Sequence, residues 1–308
     1  MPSQLSSLPN RRRQQTVLRL SRPAKAHYDA HLVPSTRMPG LGDKSPIFAL
    51  GRGPAVLCLH GFTGTPYEVA PLARALAGAG FSVSAPLLAG HGDSAKTLAA
   101  THWQDWLASA EQALDRLHGA VGDVPLSLVG FSMGGLLALR LARLRPRNIS
   151  ALVIMSAPLR LRAYQVALVR AWTHLPRFLR NGPLSTVRKR GGSDVTDESV
   201  RRENPGLGEM PMAGIAELTH LARVVRGDLR FLRLPTLVVH GERDRTVPQR
   251  DSVELAGGLA SEVVERLWLP RSGHLVAVDV ERSLLCESAV RFLTEHTSVR
   301  APAVEVPS

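Results

Sequence analysis

Cysteine is scarce in this 308-residue sequence. It has two cysteines, Cys58 and Cys286, which are too few for a framework of disulfide bonds. Cys58 lies within an apolar strand pattern, where a buried and unreactive thiol is expected. So little cysteine fits a reducing compartment, and we therefore expect a cytoplasmic protein. No apolar run approaches the about 20 residues that a membrane-spanning helix requires.

Acidic residues are also too few to balance the basic ones, and the net charge is +12 at pH 7. Only Lys25, Lys44, Lys96 and Lys189 are lysines, so 34 of the 38 basic residues are arginines (38 − 4). Such an arginine excess can reflect genome base composition. No DNA- or RNA-recognition motif accompanies it, so we expect no nucleic-acid partner. Anionic surfaces, including membrane interfaces, remain among the partners that this charge allows.

The two ends of the chain differ in composition from the rest. Residues 1–45 are polar, proline-bearing and rich in arginine, which predicts a flexible basic extension. Residues 298–308 are expected to form a loose C-terminal tail.

The body of the chain shows alternating strand and helix patterns, interrupted once. These patterns occupy residues 46–157 and 230–297 and predict a mostly parallel sheet with helices on both faces, an α/β fold. Residues 158–229 between them show no clear strand and one long helix candidate, Leu161–Leu175. We expect this segment to be a helical insertion over the edge of the sheet.

The most informative stretch is Leu126–Gly135, where an apolar run leads into G-F-S-M-G and then a helical pattern. The order strand, G-x-S-x-G, helix is typical of a sharp turn that raises a serine side chain above the sheet. The crowded backbone of such a turn needs small residues two places before and after Ser132, and Gly130 and Gly134 occupy those places. The alternative is an ordinary turn whose serine only caps the helix.

Ser132, Asp244 and His274 occur in the chain order that a sheet with such a turn uses for a nucleophile, an acid and a base. Asp244 and His274 each lie in a loop soon after a predicted strand, so all three can reach one edge of the sheet. Serine ester hydrolysis needs these three groups. A hydroxyl attacks, an imidazole accepts its proton, and a carboxylate fixes the tautomer of the imidazole.

These motifs resemble those of the α/β-hydrolase superfamily and, within it, bacterial carboxylesterases and monoacylglycerol lipases. The stretch Met210–Leu221 is also similar to the segment that leads back to the sheet in those enzymes. The other matching pieces are HGFTGTP at 60–66, HGD at 91–93, WQDW at 103–106, GFSMGG at 130–135, PTLVVHGERD at 235–244 and SGH at 272–274.

The resemblance implies an α/β-hydrolase fold with a helical cap or lid and no cofactor. It implies that Ser132 is the nucleophile, His274 the general base and then acid, and Asp244 the carboxylate that orients His274. It also implies an oxyanion hole formed by the backbone N–H groups of Phe62 and Met133.

Other ionisable residues are weaker candidates for these roles. Glu242 lies two residues before the position of the acid in the resembled enzymes, and Asp279 follows His274 and would break the chain order. The eleven histidines include no H-E-x-x-H or comparable spacing, so no metal site is expected.

The favoured interpretation is a serine carboxylic-ester hydrolase that cleaves small-molecule or lipid esters with lipophilic acyl groups through an acyl-enzyme. Tyr164, Leu168 and Trp172 share one face of the helix candidate in the insertion and are candidates to line an acyl pocket. Otherwise that face packs on the main domain.

A carbon–carbon bond hydrolase or acyltransferase of the same fold is the second interpretation. A catalytically silent fold used for binding is the third, and the intact set of three residues argues against it.

Overall fold

The computed structural model describes residues 43–297 except 147, 181, 183, 190 and 191, and only the backbone of 163, 164 and 177. The predicted basic extension therefore lies almost entirely outside the described residues, as does the predicted tail. Within the described part of the chain, no helix is both long enough and apolar enough to cross a membrane.

The main sheet has seven strands in the order β1-β3-β2-β4-β5-β8-β9, and all neighbours are parallel except β1 and β3. The central strands are short apolar runs buried on both faces, as a parallel sheet between two helical layers requires. In chain order the strands are β1 (Ile47–Ala49), β2 (Ala55–Leu59), β3 (Ser82–Ala85), β4 (Leu126–Phe131), β5 (Ile149–Met155), β6 (Thr186–Arg188), β7 (Glu209–Pro211), β8 (Thr236–Gly241) and β9 (Val264–Leu269).

Helices cover the sheet on both sides, and further helices lie in the 158–229 segment. In chain order the helices are α1 (Ala70–Gly78), α2 (Ala95–Ala99), α3 (Trp103–Val121), α4 (Met133–Leu144), α5 (Ala163–Thr173), α6 (Arg177–Arg180), α7 (Glu198–Glu203), α8 (Met212–Asp228), α9 (Gln249–Gly258) and α10 (Arg282–His296).

The period of two along each strand divides its side chains between two hydrophobic cores. In β2, Leu57 and Leu59 face a core shared with α3, α4, α8 and α9, whereas Val56 and Cys58 face a core shared with α1 and α10. This architecture is the α/β-hydrolase fold, and the predicted parallel sheet with helices on both faces is confirmed.

The segment 158–229 differs from the prediction in two respects. It contains an antiparallel pair of strands, β6 and β7, where no strand was predicted. Each has three residues, which is too short for alternation to show in the sequence. It also contains α8, a 17-residue helix that packs against α4 and α3. This helix buries Leu221 and Val225 in the core that it shares with α3, α4 and α9. The predicted helix Leu161–Leu175 corresponds to α5.

Candidate active site

Ser132 lies at the sharp turn between β4 and α4. Its φ angle is +52°, in the left-handed region that residues other than glycine rarely adopt. A Cβ added to Gly130 would lie 2.3 Å from the Gly134 carbonyl oxygen, and one added to Gly134 would lie 2.2 Å from the Leu59 carbonyl oxygen. The Ser132 side chain makes no capping hydrogen bond with α4. The turn therefore has the geometry that the glycine pattern predicts, and its serine does not merely cap the helix.

The structure brings together Ser132, His274 and Asp244. His274 Nε2 lies 3.1 Å from Ser132 Oγ, and His274 Nδ1 lies 2.7 Å from Asp244 Oδ2. Because an ionised carboxylate only accepts hydrogen bonds, Nδ1–H donates to Asp244 and Nε2 remains free to accept the hydroxyl proton of Ser132. This arrangement can generate a nucleophilic serine.

Asp244 is held by its own loop. Its second oxygen, Oδ1, accepts the backbone N–H of Thr246 at 2.8 Å and that of Val247 at 2.7 Å. These bonds leave Oδ2 directed at His274. Neither alternative acid contacts the imidazole, since Glu242 is exposed and Asp279 accepts backbone N–H groups elsewhere.

The surrounding charges favour protonation of His274. Burial opposes it, but the Asp244 carboxylate, with further contributions from Asp194 and Glu68, outweighs burial and raises the pKa of His274. Burial likewise opposes ionisation of Asp244, yet His274, His240 and the N–H of Val247 together lower the pKa of Asp244. The pair is therefore suited to hold a proton on the imidazole.

The predicted oxyanion donors, Phe62 and Met133, come from two adjoining backbone segments. Phe62 follows β2, Met133 begins α4, and the close approach of Gly134 to the end of β2 places these segments together. No hydrogen bond among the described residues uses either N–H group. Both donors are therefore available for an oxygen that develops negative charge.

Two buried side chains support the Phe62 loop. One is His60, whose place at a strand end before glycine predicts a structural hydrogen bond, and the other is Glu68, which sequence reasoning overlooked. His60 Nδ1–H donates to the Gly61 carbonyl at 2.9 Å, while its Nε2 accepts the N–H of Leu88 at 3.1 Å. Burial lowers the pKa of His60 to about 3, which keeps the ring neutral. Glu68 Oε2 accepts the Gly61 N–H at 2.9 Å, and burial raises the pKa of this carboxyl. A glutamate within an apolar helix start was the only available signal.

The segment 158–229 packs on the same loop. Phe62 and the half-buried Trp172 lie against a small apolar cluster of Val169, Met212 and Ile215. The structure therefore places one predicted pocket residue, Trp172, against the same apolar cluster as the side chain of Phe62. Leu168 is 51% exposed and lies outside this cluster. The side chain of Tyr164 lies outside the described residues.

One group of side chains within the described residues has ligand atoms close enough together for a metal ion: Glu265, Glu295 and His296. Arg291 already forms ion pairs with both carboxylates, at 2.7 and 3.0 Å. These residues lie on β9 and α10, apart from Ser132, and do not contribute to the site.

Comparison with known proteins identifies a matching family and similar proteins. The chain matches the family described as serine aminopeptidase, S33, over residues 53–281. It is 29% identical over 262 residues to the thermostable monoacylglycerol lipase of Bacillus sp. (strain H-257), and this alignment covers 85% of the present chain and 99% of the lipase. It is 27% identical over 244 residues to a carboxylesterase of Bacillus subtilis (strain 168), and this alignment covers 79% of the present chain and 93% of the carboxylesterase.

A solved structure leads to the same class. It comes from work on LipS and LipT, two metagenome-derived lipolytic enzymes, and superposes with a TM-score of 0.74 at 29% identity. The match covers 82% of this chain and 98% of that one. The fold and the serine turn define an α/β hydrolase. Within that class, the chain belongs to the serine aminopeptidase S33 family of hydrolases.

Proposed function

We propose that the protein is a serine hydrolase that cleaves carboxylic esters with lipophilic acyl groups through an acyl-enzyme on Ser132. The observation that carries the proposal is the linked set Ser132–His274–Asp244, with contacts of 3.1 and 2.7 Å. Relatives that align with most of this chain are named as a monoacylglycerol lipase and a carboxylesterase, which supports ester hydrolysis over the peptidase activity in the family description.

In the proposed reaction, Ser132 Oγ attacks the ester carbonyl as His274 Nε2 takes its proton. The N–H groups of Phe62 and Met133 stabilise the oxyanion, and each such donor typically lowers the barrier by about 3 kcal/mol. The imidazolium returns the proton to the leaving alcohol, which leaves Ser132 acylated. Water, activated by His274, then attacks the acyl-enzyme and releases the acid. Asp244 keeps the imidazole in one tautomer throughout.

The substrate class is tested with p-nitrophenyl esters of increasing acyl length, an aminoacyl p-nitroanilide and a fluorophosphonate probe. We expect hydrolysis of the esters, little hydrolysis of the anilide, and covalent labelling at Ser132. Labelling with faster anilide than ester cleavage would favour a peptidase instead. Labelling with neither activity would favour the carbon–carbon hydrolase or acyltransferase alternative, and absence of labelling would favour a silent binding fold.

We further propose that Trp172 lines the acyl pocket. Its packing against the small apolar cluster, which Phe62 also contacts, supports this role. Trp172→Ala should change the ratio of kcat/KM between long and short acyl esters by about 10–200-fold, the range for one pocket contact. Leu168→Ala is the matched control, because Leu168 lies on the same helix but outside the cluster. A lower melting temperature of Trp172→Ala with an unchanged chain-length profile would instead mean that Trp172 only packs on the main domain.

We also propose that the first half of the 158–229 segment binds anionic lipid surfaces. Residues 158–190 contain eight basic residues and no aspartate or glutamate. The same stretch exposes large apolar side chains: Leu168, Phe178, Leu184 and Val187. Exposed apolar side chains in a stretch whose sequence is positively charged suit the interface of an anionic membrane.

The lipid proposal is tested by sedimentation of the full chain with vesicles. Binding should require phosphatidylglycerol in phosphatidylcholine vesicles, decrease with salt, and weaken several-fold in Phe178→Ser, since Phe178 is 74% exposed. Phe231→Ser is the matched control, because Phe231 is 51% exposed and lies beside arginines but outside the segment. Equal weakening by both substitutions would contradict the proposal.

A further inference from the structure

Asp194, in the 158–229 segment, lies between the two loops that carry the acid and the base. On one side, its Oδ2 accepts the Arg245 backbone N–H and the Thr246 hydroxyl, both at 2.8 Å, and its Oδ1 accepts Arg245 Nε–H at 3.3 Å. On the other side, its carbonyl oxygen accepts the Leu275 N–H at 3.1 Å. Arg245 and Thr246 follow Asp244, and Leu275 follows His274. One residue therefore bridges the two loops.

The fit of Asp194 against the His274 loop is close. A Cβ added to Gly273 would lie 2.9 Å from the Asp194 carbonyl oxygen and 3.1 Å from its Oδ1. Val195, the next residue, is 2% exposed and packs in the core between the sheet and α10. This packing fixes the position of Asp194 relative to the sheet.

A second carboxylate fastens the same stretch of chain. Asp279 is fully buried, and its oxygens accept the N–H groups of Thr196 and Asp197, which follow Asp194, at 2.9–3.0 Å. Asp279 Oδ2 also accepts the N–H of Gly273 at 2.7 Å. The residues on either side of His274 are thus tied to the 158–229 segment, Leu275 through Asp194 and Gly273 through Asp279.

The acid and base loops also contact each other directly. Apart from the His274–Asp244 contact, the Arg243 N–H donates to the Ser272 carbonyl at 3.0 Å, and the Glu242 N–H donates to the Leu269 carbonyl at 2.9 Å. The bonds of Asp194 add to this connection between the loop of Asp244 and the loop of His274. A misplacement of about 1 Å between reacting groups can lower a rate about 10²-fold.

We infer that Asp194 is a positioning residue of the active site, which holds the loop of Asp244 and the loop of His274 in register for proton transfer. The inference rests on the proposed function of Ser132, His274 and Asp244. It gives the 158–229 segment a role in the chemical step, separate from any role in binding the acyl group.

Removal of the Asp194 charge also has an electrostatic consequence. The ionisable groups that face His274 are Asp244, Asp194, Glu68 and His240. A negative charge at Asp194 favours the imidazolium, so its loss lowers the pKa of His274. Because hydrolysis requires neutral His274, the acidic limb of the kcat/KM profile should then move to lower pH.

The test compares Asp194→Ala, Asp194→Asn and the control Glu198→Gln, with kcat and KM for a short-chain p-nitrophenyl ester measured across pH. Asp194→Ala should lower kcat about 10–10²-fold with little change in KM, as expected for lost positioning. Asp194→Asn keeps an acceptor oxygen, so it should recover most of kcat but still show the acidic limb at lower pH. Glu198→Gln removes an exposed charge from the same segment and should change neither quantity.

Circular dichroism and the rate of fluorophosphonate labelling complete the test. Unchanged kcat in a folded Asp194→Ala variant would overturn the inference, whereas a wild-type pH profile in Asp194→Asn would contradict only its electrostatic part. If the Ala variant does not fold, Thr246→Val takes its place, because it removes one donor to Asp194 Oδ2. An unchanged kcat in that variant would overturn the inference. Failure of the proposed function has a different signature, because the wild-type protein itself would then not be labelled.

Discussion

Ser132→Ala is expected to abolish ester hydrolysis and to leave the fold intact. The substitution removes only Oγ, which lies 3.1 Å from His274 Nε2 and makes no capping hydrogen bond with α4. Loss of the nucleophile should lower kcat roughly 10⁶-fold, as loss of a triad serine does elsewhere. Activity is measured with the short-chain ester, and folding by the thermal transition in circular dichroism.

His274→Ala should cost nearly as much, and the double variant should be little worse than either single one. Members of a catalytic unit act together, so their separate losses do not multiply. Ser127→Ala is the matched control. Ser127 is a buried serine near the start of β4, whereas Ser132 follows the end of β4, and the Ser127 hydroxyl forms a hydrogen bond with Thr297. Losses that multiply in the double variant would mean that Ser132 and His274 do not act as one unit.

The parts of the site that could be predicted are those that local patterns encode. Gly130 and Gly134 flank Ser132 because the turn leaves no room for a Cβ, so the geometry is visible in five adjacent positions. Asp244 and His274 follow strands in a parallel sheet, and the strand ends of such a sheet meet at one edge. Sequence order then excludes Asp279, and the resemblance to known hydrolases favours Asp244 over Glu242.

The supporting residues depend on contacts between distant parts of the chain, and no local pattern encodes those contacts. Asp194 is 50 residues before Asp244 (244 − 194), in a polar stretch that resembles an ordinary loop. Glu68 is recognisable as a support for Gly61 only once the helix start has folded against the Phe62 loop.

The helix of the insertion shows the limit of periodicity in another way. Leu168 and Trp172 are four residues apart and share a helix face by spacing, yet Leu168 is half exposed whereas Trp172 packs against a small apolar cluster. A hydrophobic stripe predicts which side chains share a face. It does not predict how far the partner surface extends along the helix, because that depends on where α8 and the Phe62 loop lie.

Asp244→Asn is expected to lower kcat about 10⁴-fold by forcing the wrong imidazole tautomer. The N–H groups of Thr246 and Val247 both donate to the Oδ1 position, at 2.8 and 2.7 Å, so the single oxygen of asparagine should occupy it. The amide NH₂ then faces His274 Nδ1 and can only donate. Nδ1 must therefore accept, which places the ring proton on Nε2, opposite Ser132 Oγ. With that proton in place, the imidazole cannot act as a base.

Glu242→Gln is the control for this prediction, because it also removes one negative charge. Glu242 lies in the same loop as Asp244 but is exposed to solvent. We expect its kcat to stay close to that of the wild type, while both variants keep the wild-type thermal transition. The Asn variant should also retain the buried environment of His274 without the carboxylate that raises its pKa, so its residual activity should extend to lower pH. A large effect of Glu242→Gln with a small effect of Asp244→Asn would mean that Glu242 orients the imidazole when substrate is bound.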